Sequence, residues 1–307
     1  MTTADTSLAA APSRAPAVVE GPRLDGKIAV VTGGSSGIGG EISRQLAALG
    51  ATVVTVGRSQ EKGLAFTAGL RGATGNKTHD FLASDMSSQT AVRSLAQELQ
   101  RRYPRIDILV NNVGGAFFKR GVTVDGMEQT LALNLLTPFL LTQLLLPTLK
   151  QTRGAKVINV ATKLTDGTKI DFDDLQAERK YSAFGTYGRA KLGLMLFSVE
   201  LARRLEGSGV QVAYVHPGVA PETDFGVGMP KMIRALSPFI TKLMGIHVTL
   251  EQAGDTAVHL AARPALEGPN GSYFIRRKLA DPPPQVRDAE VAKRLWDACE
   301  SLTRLRA

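Results

Sequence analysis

The sequence predicts a doubly wound α/β domain, a parallel sheet with helices packed on both faces. Three observations carry this reading. Short apolar, β-branched runs of strand length alternate with longer segments of helical spacing. A glycine-rich turn joins the first such run to the first helical segment. After residue 23 no linker or internal repeat divides the chain, so one domain is expected over 24–307.

The elements follow in order. Residues 1–23 are rich in Ala, Pro, Thr and Ser and lack a continuous apolar stretch, which reads as a flexible leader and not a signal peptide. A strand at 27–32 (KIAVVT) leads through the turn at 33–39 into a helix at 38–49 that stops at Gly50. A β-branched strand at 52–56 precedes a helix at 59–70, and a strand at 77–84 precedes a helix at 87–102. Next come a strand at 106–110 (IDILV), a helix at 126–150, a strand at 156–160 (KVINV), a long helix from about residue 183 and a strand at 210–215. The C-terminal third offers a helix at 230–245, read as part of a substrate lid over 225–246. A helix at 249–262 and a strand at 272–275 follow. A last helix lies within 285–307, its apolar stripe formed by Val291, Leu295, Ala298, Cys299 and Leu302. Docking on the domain is expected for that stripe; a membrane surface or a partner is the competing reading.

Composition narrows the function classes. With 307 residues, 43% apolar and 21% charged, the chain is long enough for a substantial core. The net charge of +9 comes from dispersed Lys and Arg, with no run longer than Arg276-Arg277-Lys278 and no interleaved aromatics. That excludes a nucleic-acid motif but suits attraction of anionic ligands such as phosphorylated cofactors. A single cysteine, Cys299, rules out an intramolecular disulfide and suits a reducing, cytoplasmic setting. Four histidines without ligand spacing predict no metal. The apolar run at 131–149 is interrupted by Asn134, Thr137, Pro138, Thr142, Gln143 and Pro147, so it reads as a buried or subunit-facing helix and not a membrane span.

Two motifs carry chemistry. In the turn Gly33-Gly34-Ser35-Ser36-Gly37-Ile38-Gly39, glycines let backbone N–H groups approach a pyrophosphate at a helix N-terminus. At the end of the second strand stands Gly57-Arg58-Ser59, with no carboxylate before Glu61 to accept from a ribose 2′-hydroxyl. Arg58 therefore points to a 2′-phosphate and NADP(H), the alternative being that it stacks on adenine. Further on, Tyr187 and Lys191 open a helix at i and i+4, on one face and about 6 Å apart along its axis. A phenol near ~10 needs about 4 kcal/mol of differential stabilisation to titrate near neutrality, roughly what one cation at ~4 Å supplies at an effective dielectric near 20. Alone, such a pair is common on helices.

Taken in order, these motifs resemble the short-chain dehydrogenase/reductase family over about residues 24–280, through TGGSSGIG at 32–39, Asp85-Met86, Asn111-Asn112-Val113-Gly114, Asn134, Tyr187 with Lys191, and His216-Pro217-Gly218. The segment IDFDDLQAERKYSAFGTYGRAK and the C-terminal tail resemble the retinol-dehydrogenase-like branch, with bacterial ketoreductases beside it. The resemblance implies a single Rossmann-type domain exchanging hydride between NADP(H) and a carbonyl/alcohol pair. It implies that Tyr187 acts as general acid, Thr162 orients the substrate oxygen, Lys191 lowers the Tyr187 pKa and holds the ribose, and Asn134 holds a relay water. The cofactor would contact Gly33, Ser35, Ser36, Gly37, Ile38, Gly39, Arg58, Asp85, Met86, Asn112, Val113, Gly114, Tyr187, Lys191, Pro217, Gly218, Val219 and Thr223.

Departures from the pattern are Thr162 for serine, Val113 for alanine, and Thr223, one residue out of register. Threonine keeps the hydroxyl but stiffens χ1 and narrows the pocket. Phe117, Phe118 and the segments 163–186 and 225–246 would line the site for a bulky hydrophobic small molecule. Retinoid, steroid and polyketide carbonyls all suit it, with an aromatic polyketide-type ketone preferred. The apolar helices at 131–149 and 184–205 suit a homodimer or homotetramer. Two rival readings are a non-redox isomerase, cyclase or dehydratase in the same pocket, supported by Thr162, and an NADP(H)-binding protein without turnover.

Overall fold

The computed structural model describes residues 21–305 apart from 164, 166, 221–225, 231–238, 240, 241 and 244–246. Strands β1 (Ile28–Thr32), β2 (Thr52–Gly57), β3 (Asp80–Ala83) and β4 (Ile108–Asn111) alternate with helices α1 (Gly37–Ala48), α2 (Gln60–Thr74) and α3 (Gln89–Arg102). The short strand β5 (Ala116–Phe117) precedes α4 (Gln129–Gln151). Then follow β6 (Lys156–Val160), α5 (Ala183–Arg204), β7 (Gln211–His216), β8 (Gly226–Val227), α6 (Leu250–Ala262), β9 (Ser272–Ile275), β10 (Lys278–Ala280) and α7 (Ala289–Leu302).

The main sheet runs β10-β9-β7-β6-β4-β1-β2-β3. All its pairings are parallel except β9 with β10. The order reverses between β1 and β4, which opens a crevice at the carboxyl ends of the strands, where doubly wound sheets bind ligands. Both faces are covered, as near-continuous apolar strands require. One core cluster joins the sheet to Val92 and Leu99 of α3, Phe139 and Leu145 of α4, Phe197 of α5 and Trp296 of α7. The other joins it to Ile42 and Leu46 of α1, Leu70 of α2 and Leu260 of α6.

The predicted fold and element order hold, with ends displaced by a few residues. Sequence pattern missed β5, β8 and β10, because two or three residues are too few to show a period of two. Most of the expected lid at 225–246, including most of the helix expected at 230–245, falls outside the described residues. Within α4 the backbone widens into a π-turn at Ala132–Leu136, closed by Thr137 N–H donating to Ala132 O. Hydrophobic spacing gave no sign of it.

Helix α7 docks on the domain, as the stripe predicted, but the stripe is rotated. Ala292, Leu295, Trp296 and Cys299 are buried, whereas Val291, Ala298 and Leu302 are half-buried. Trp296 lies edge-on to Phe139 at 5.0 Å and 5.8 Å from Phe197, with the Arg204 guanidinium 4.2 Å above its ring. Ile170, Phe172 and Leu175 pack on the same cluster, and Arg294 sits 4.0 Å over the Phe172 ring. Much of the apolar surface of α4 and α5 is thus buried within the chain. Of the most apolar stretch of α4, 72% is buried, which fits the core helix that its polar interruptions predicted. Trp296→Ala should cost about 3–5 kcal/mol of stability in urea unfolding, because the cavity lies between three helices that cannot all collapse onto it.

Candidate active site

The site is built at the carboxyl ends of the strands. Thr32 ends β1, and its hydroxyl accepts from Asn112 N–H at 2.9 Å and Val113 N–H at 3.1 Å. Asn112 Nδ2 returns a bond to Thr32 O at 2.9 Å. The glycine loop and the Asn112-Val113-Gly114 turn are thereby clasped together. A Cβ on Gly39 would collide with Asn112 Nδ2 and Gly33 O, so this loop closes only around a glycine.

Helix α1 begins without a cap. Ser36 makes no side-chain cap bond, and the first turn has no acidic residue. The other helices named above start from a capping side chain: Ser59, Ser88, Glu128, Ser182, Thr249 and Asp288. The helix terminus expected to meet a pyrophosphate therefore keeps its N–H groups clear of a competing side chain. Arg58 is exposed just past β2 and has no hydrogen-bond or ion-pair partner among the described residues. A Cβ on its neighbour Gly57 would stand 3.2 Å from Ser35 Oγ, so loop and arginine border one another. Past β3, Asp85 is exposed and its Oδ1 accepts from Ser87 N–H (3.0 Å) and Ser87 Oγ (2.7 Å). Met86 is buried, its carbonyl held by Thr137 Oγ1 at 2.6 Å. These groups fit a phosphorylated dinucleotide lying across β1 to β4.

The reacting end lies over β4 and β6. Asn134 is fully buried in the π-turn and donates from Nδ2 to Gly115 O (2.9 Å) and Thr130 O (2.8 Å). Its Oδ1 accepts from Gly115 N–H at 3.2 Å. Both amide hydrogens are committed to backbone. A relay water could be held only by Oδ1 or the main-chain carbonyl, and the side chain chiefly fixes the Gly114-Gly115 turn. Gly114 is the point of close approach, since a Cβ there would meet Asn134 Oδ1 and stand 3.3 Å from Lys191 Nζ.

Thr162, Tyr187 and Lys191 converge in the interior, each buried. The Tyr187 hydroxyl is hydrogen-bonded to the Thr162 side chain, the arrangement a catalytic hydroxyl pair requires. Lys191 Nζ donates to Val160 O at 2.7 Å and lies 5.9 Å from the centre of the Tyr187 ring. One electrostatic expectation is corrected here. Burial pushes the Tyr187 phenol above its ordinary value, opposed by the Thr162 hydrogen bond, with no lowering from Lys191. The i, i+4 spacing aligns the two side chains, but the ammonium turns to the end of β6 and not to the phenol oxygen. Burial also pushes Lys191 down to about 7. Lysine is therefore the group of this pair that exchanges its proton near neutrality.

That shift has a stability consequence. A lysine near 10.4 when unfolded and near 7 when folded carries its penalty in full below pH 7, and the penalty fades as pH rises towards 10.4. Lys191→Met should therefore raise the melting temperature of the cofactor-free protein, more at pH 6 than at pH 9. An equal shift at both pH values would contradict a depressed lysine.

Pro217, Gly218 and Val219 follow β7. Val219 bridges to His247 and accepts from Val248 N–H at 3.1 Å. Thr223 lies outside the described residues. Of the expected lining, Phe117 belongs to β5, which pairs with β8, and its carbonyl accepts from Tyr181 Oη at 2.6 Å. Phe118 meets the half-exposed Phe184 edge-on at 5.5 Å. The segments after β4, before Tyr187 and after β7 thus meet in one aromatic margin. Sequence reasoning placed Thr32 at the head of the cofactor-loop motif without giving it a role, and it missed Gly115 as part of the site.

The short chain dehydrogenase family model matches residues 27–232. Retinol dehydrogenase 13 of Homo sapiens is 36% identical over 92% of this chain and 86% of its own length. Polyprenol dehydrogenase of Mus musculus is 34% identical over 90% and 83%. A putative uncharacterized protein from Mycobacterium paratuberculosis shares the fold with a TM-score of 0.74 at 26% identity, over 93% of this chain and 96% of that one. A short chain dehydrogenase from Burkholderia cenocepacia in complex with NADP has a TM-score of 0.65 at 26% identity, over 82% and 97%. The chain belongs to the short-chain dehydrogenase/reductase family, in its retinol-dehydrogenase-like branch, and is a dehydrogenase acting on alcohol and carbonyl groups.

Proposed function

We propose that the protein transfers hydride between NADP(H) and the carbonyl/alcohol group of a bulky apolar substrate. The observation that carries this is the buried Thr162–Tyr187 hydroxyl pair with Lys191 one helical turn away, at the crevice edge opposite the uncapped α1 terminus. The bound nicotinamide supplies or accepts the hydride. The chain's own residues do the rest. Thr162 Oγ1 donates to the substrate oxygen and fixes its position. In reduction, the Tyr187 hydroxyl gives its proton to the oxygen as negative charge develops there. Lys191, poised near neutrality, exchanges with solvent the proton that restores the phenol.

Arg58 supports the phosphorylated cofactor, since no carboxylate stands at the end of β2 to claim a 2′-hydroxyl. The NADP complex of the Burkholderia cenocepacia relative supports the same choice. For the substrate, the named relatives act on retinol and polyprenol. Together with the Phe118–Phe184 margin they favour a long isoprenoid-type aldehyde or alcohol over the polyketide-type ketone that sequence reading preferred. The test is consumption of NADPH by the full chain with retinal, a polyprenal, steroid ketones and aromatic ketones, with products identified by mass spectrometry. Alcohol formed in step with NADPH loss is expected from at least one apolar aldehyde. NADPH binding with no oxidation across the panel would overturn the proposal, and substrate rearrangement without oxidation would replace it with the non-redox reading.

A further inference from the structure

Past the end of β6, one peptide bond is held from both edges. The β6–β7 ladder runs one residue beyond the strand, with Ala161 N–H donating to Val215 O at 2.8 Å. In a parallel ladder the next N–H to pair belongs to the residue two further on, Lys163, and its acceptor would be the carbonyl of Pro217. Instead the Lys163 N–H donates to Nδ1 of the His216 imidazole at 3.2 Å. The carbonyl of the same peptide, Thr162 O, accepts from the Tyr273 hydroxyl at 3.4 Å. Tyr273 reaches it from β9, where it pairs with Tyr214 of β7 and stacks on that ring at 5.0 Å.

We infer that His216 and Tyr273 are positioning residues that clamp the Thr162–Lys163 peptide from opposite edges and so aim the Thr162 hydroxyl at Tyr187. The inference rests on the catalytic reading of Thr162 given above. Fixing that peptide plane fixes ψ of Thr162, and the β-branched side chain leaves few rotamers once the backbone is set. A serine rotates more freely. A threonine delivers its hydroxyl to one place and depends more heavily on its backbone being right. The imidazole suits the task, because Nδ1 accepts only when the proton sits on Nε2. Burial, with the nearby charges of Lys163 and Arg276, pushes His216 down to about 4, so it is neutral wherever the enzyme would work. The Tyr273 phenol is buried with its ring flat on Tyr214, which restricts the direction of its O–H.

The test uses the full chain in three arms. His216→Gln moves the acceptor away from the δ position, Tyr273→Phe removes the donor, and His216→Asn returns an oxygen to the place of Nδ1. His216→Gln and Tyr273→Phe should each lower kcat about tenfold with KM for NADPH nearly unchanged, as expected of a misplaced catalytic group. His216→Asn should recover most of that loss. In a Thr162→Ala background the same two substitutions should cost nothing further, because the group they aim is gone. Full additive losses there would overturn the clamp and leave a merely structural role. Independently of turnover, the Lys163 amide should exchange with solvent at least about tenfold faster in His216→Gln than in wild type. Unchanged exchange at Lys163 would also overturn it. A wild-type protein with no reductase activity would instead refute the proposed function, while the exchange measurement still decides the clamp.

Discussion

Tyr187→Phe should lower kcat by roughly 10²–10⁴-fold, the range a single positioned acid-base group supplies. The substitution removes one oxygen and leaves the ring that Lys191 approaches at 5.9 Å. Cofactor affinity should stay within about twofold, because the loop, the α1 terminus and Arg58 are untouched, so the loss falls on the chemical step and not on binding. Burial makes the expected effect large. The phenol is held in its protonated form well above neutrality, so it is a stored proton, released only when charge develops on the substrate oxygen. In the substrate-free site the Thr162 hydrogen bond works in the opposite sense, and burial outweighs it. Retained turnover in Tyr187→Phe, measured by NADPH consumption in the steady state, would remove Tyr187 from the mechanism.

Arg58→Ala should weaken NADPH by about 10- to 100-fold and leave NADH almost unchanged, since a charge-assisted hydrogen bond contributes roughly 1.5–3 kcal/mol. The guanidinium is exposed and has no carboxylate partner among the described residues, so the substitution breaks no internal ion pair and should not destabilise the fold. Dissociation constants for both cofactors, read by fluorescence titration, give the ratio directly. Equal weakening of both would assign Arg58 to the adenine ring and not to the 2′-phosphate.

The fold was legible because each strand of the parallel sheet is buried on both faces and so reads as an unbroken apolar run, KIAVVT and KVINV being the clearest. The cofactor edge was legible for a related reason. A sharp turn before a helix needs glycines at fixed places, and Gly39 is packed so tightly against Asn112 that no other residue fits. Features made by distant parts of the chain were not legible. The π-turn at Ala132–Leu136 depends on where Asn134 finds backbone partners, and those lie at Gly115 and Thr130. The direction of Lys191 was misjudged because helical spacing places its Cβ, whereas the carbonyl of Val160 decides where its nitrogen goes. The hold of His216 and Tyr273 on the Thr162 peptide joins three strands, and only the β9-β7-β6 order brings them side by side.

The same geometry explains how threonine can stand where this family more often carries serine. The added methyl group makes the hydroxyl less adjustable, and a backbone held at both edges makes adjustment unnecessary. The half-exposed Phe184 and its partner Phe118 form an apolar margin of the kind that the proposed substrate requires.

The central claim is that this crevice moves hydride to a carbonyl carbon, and isotope transfer tests it most directly. NADPH with both hydrogens of its hydride-donating carbon replaced by deuterium is given to the full chain with an apolar aldehyde that it consumes, and the alcohol product is analysed by mass spectrometry and NMR. Hydride transfer predicts one deuterium on the carbinol carbon of the product, with the hydroxyl proton coming from solvent. A product formed without that deuterium, or labelled only when the reaction runs in heavy water, would contradict it.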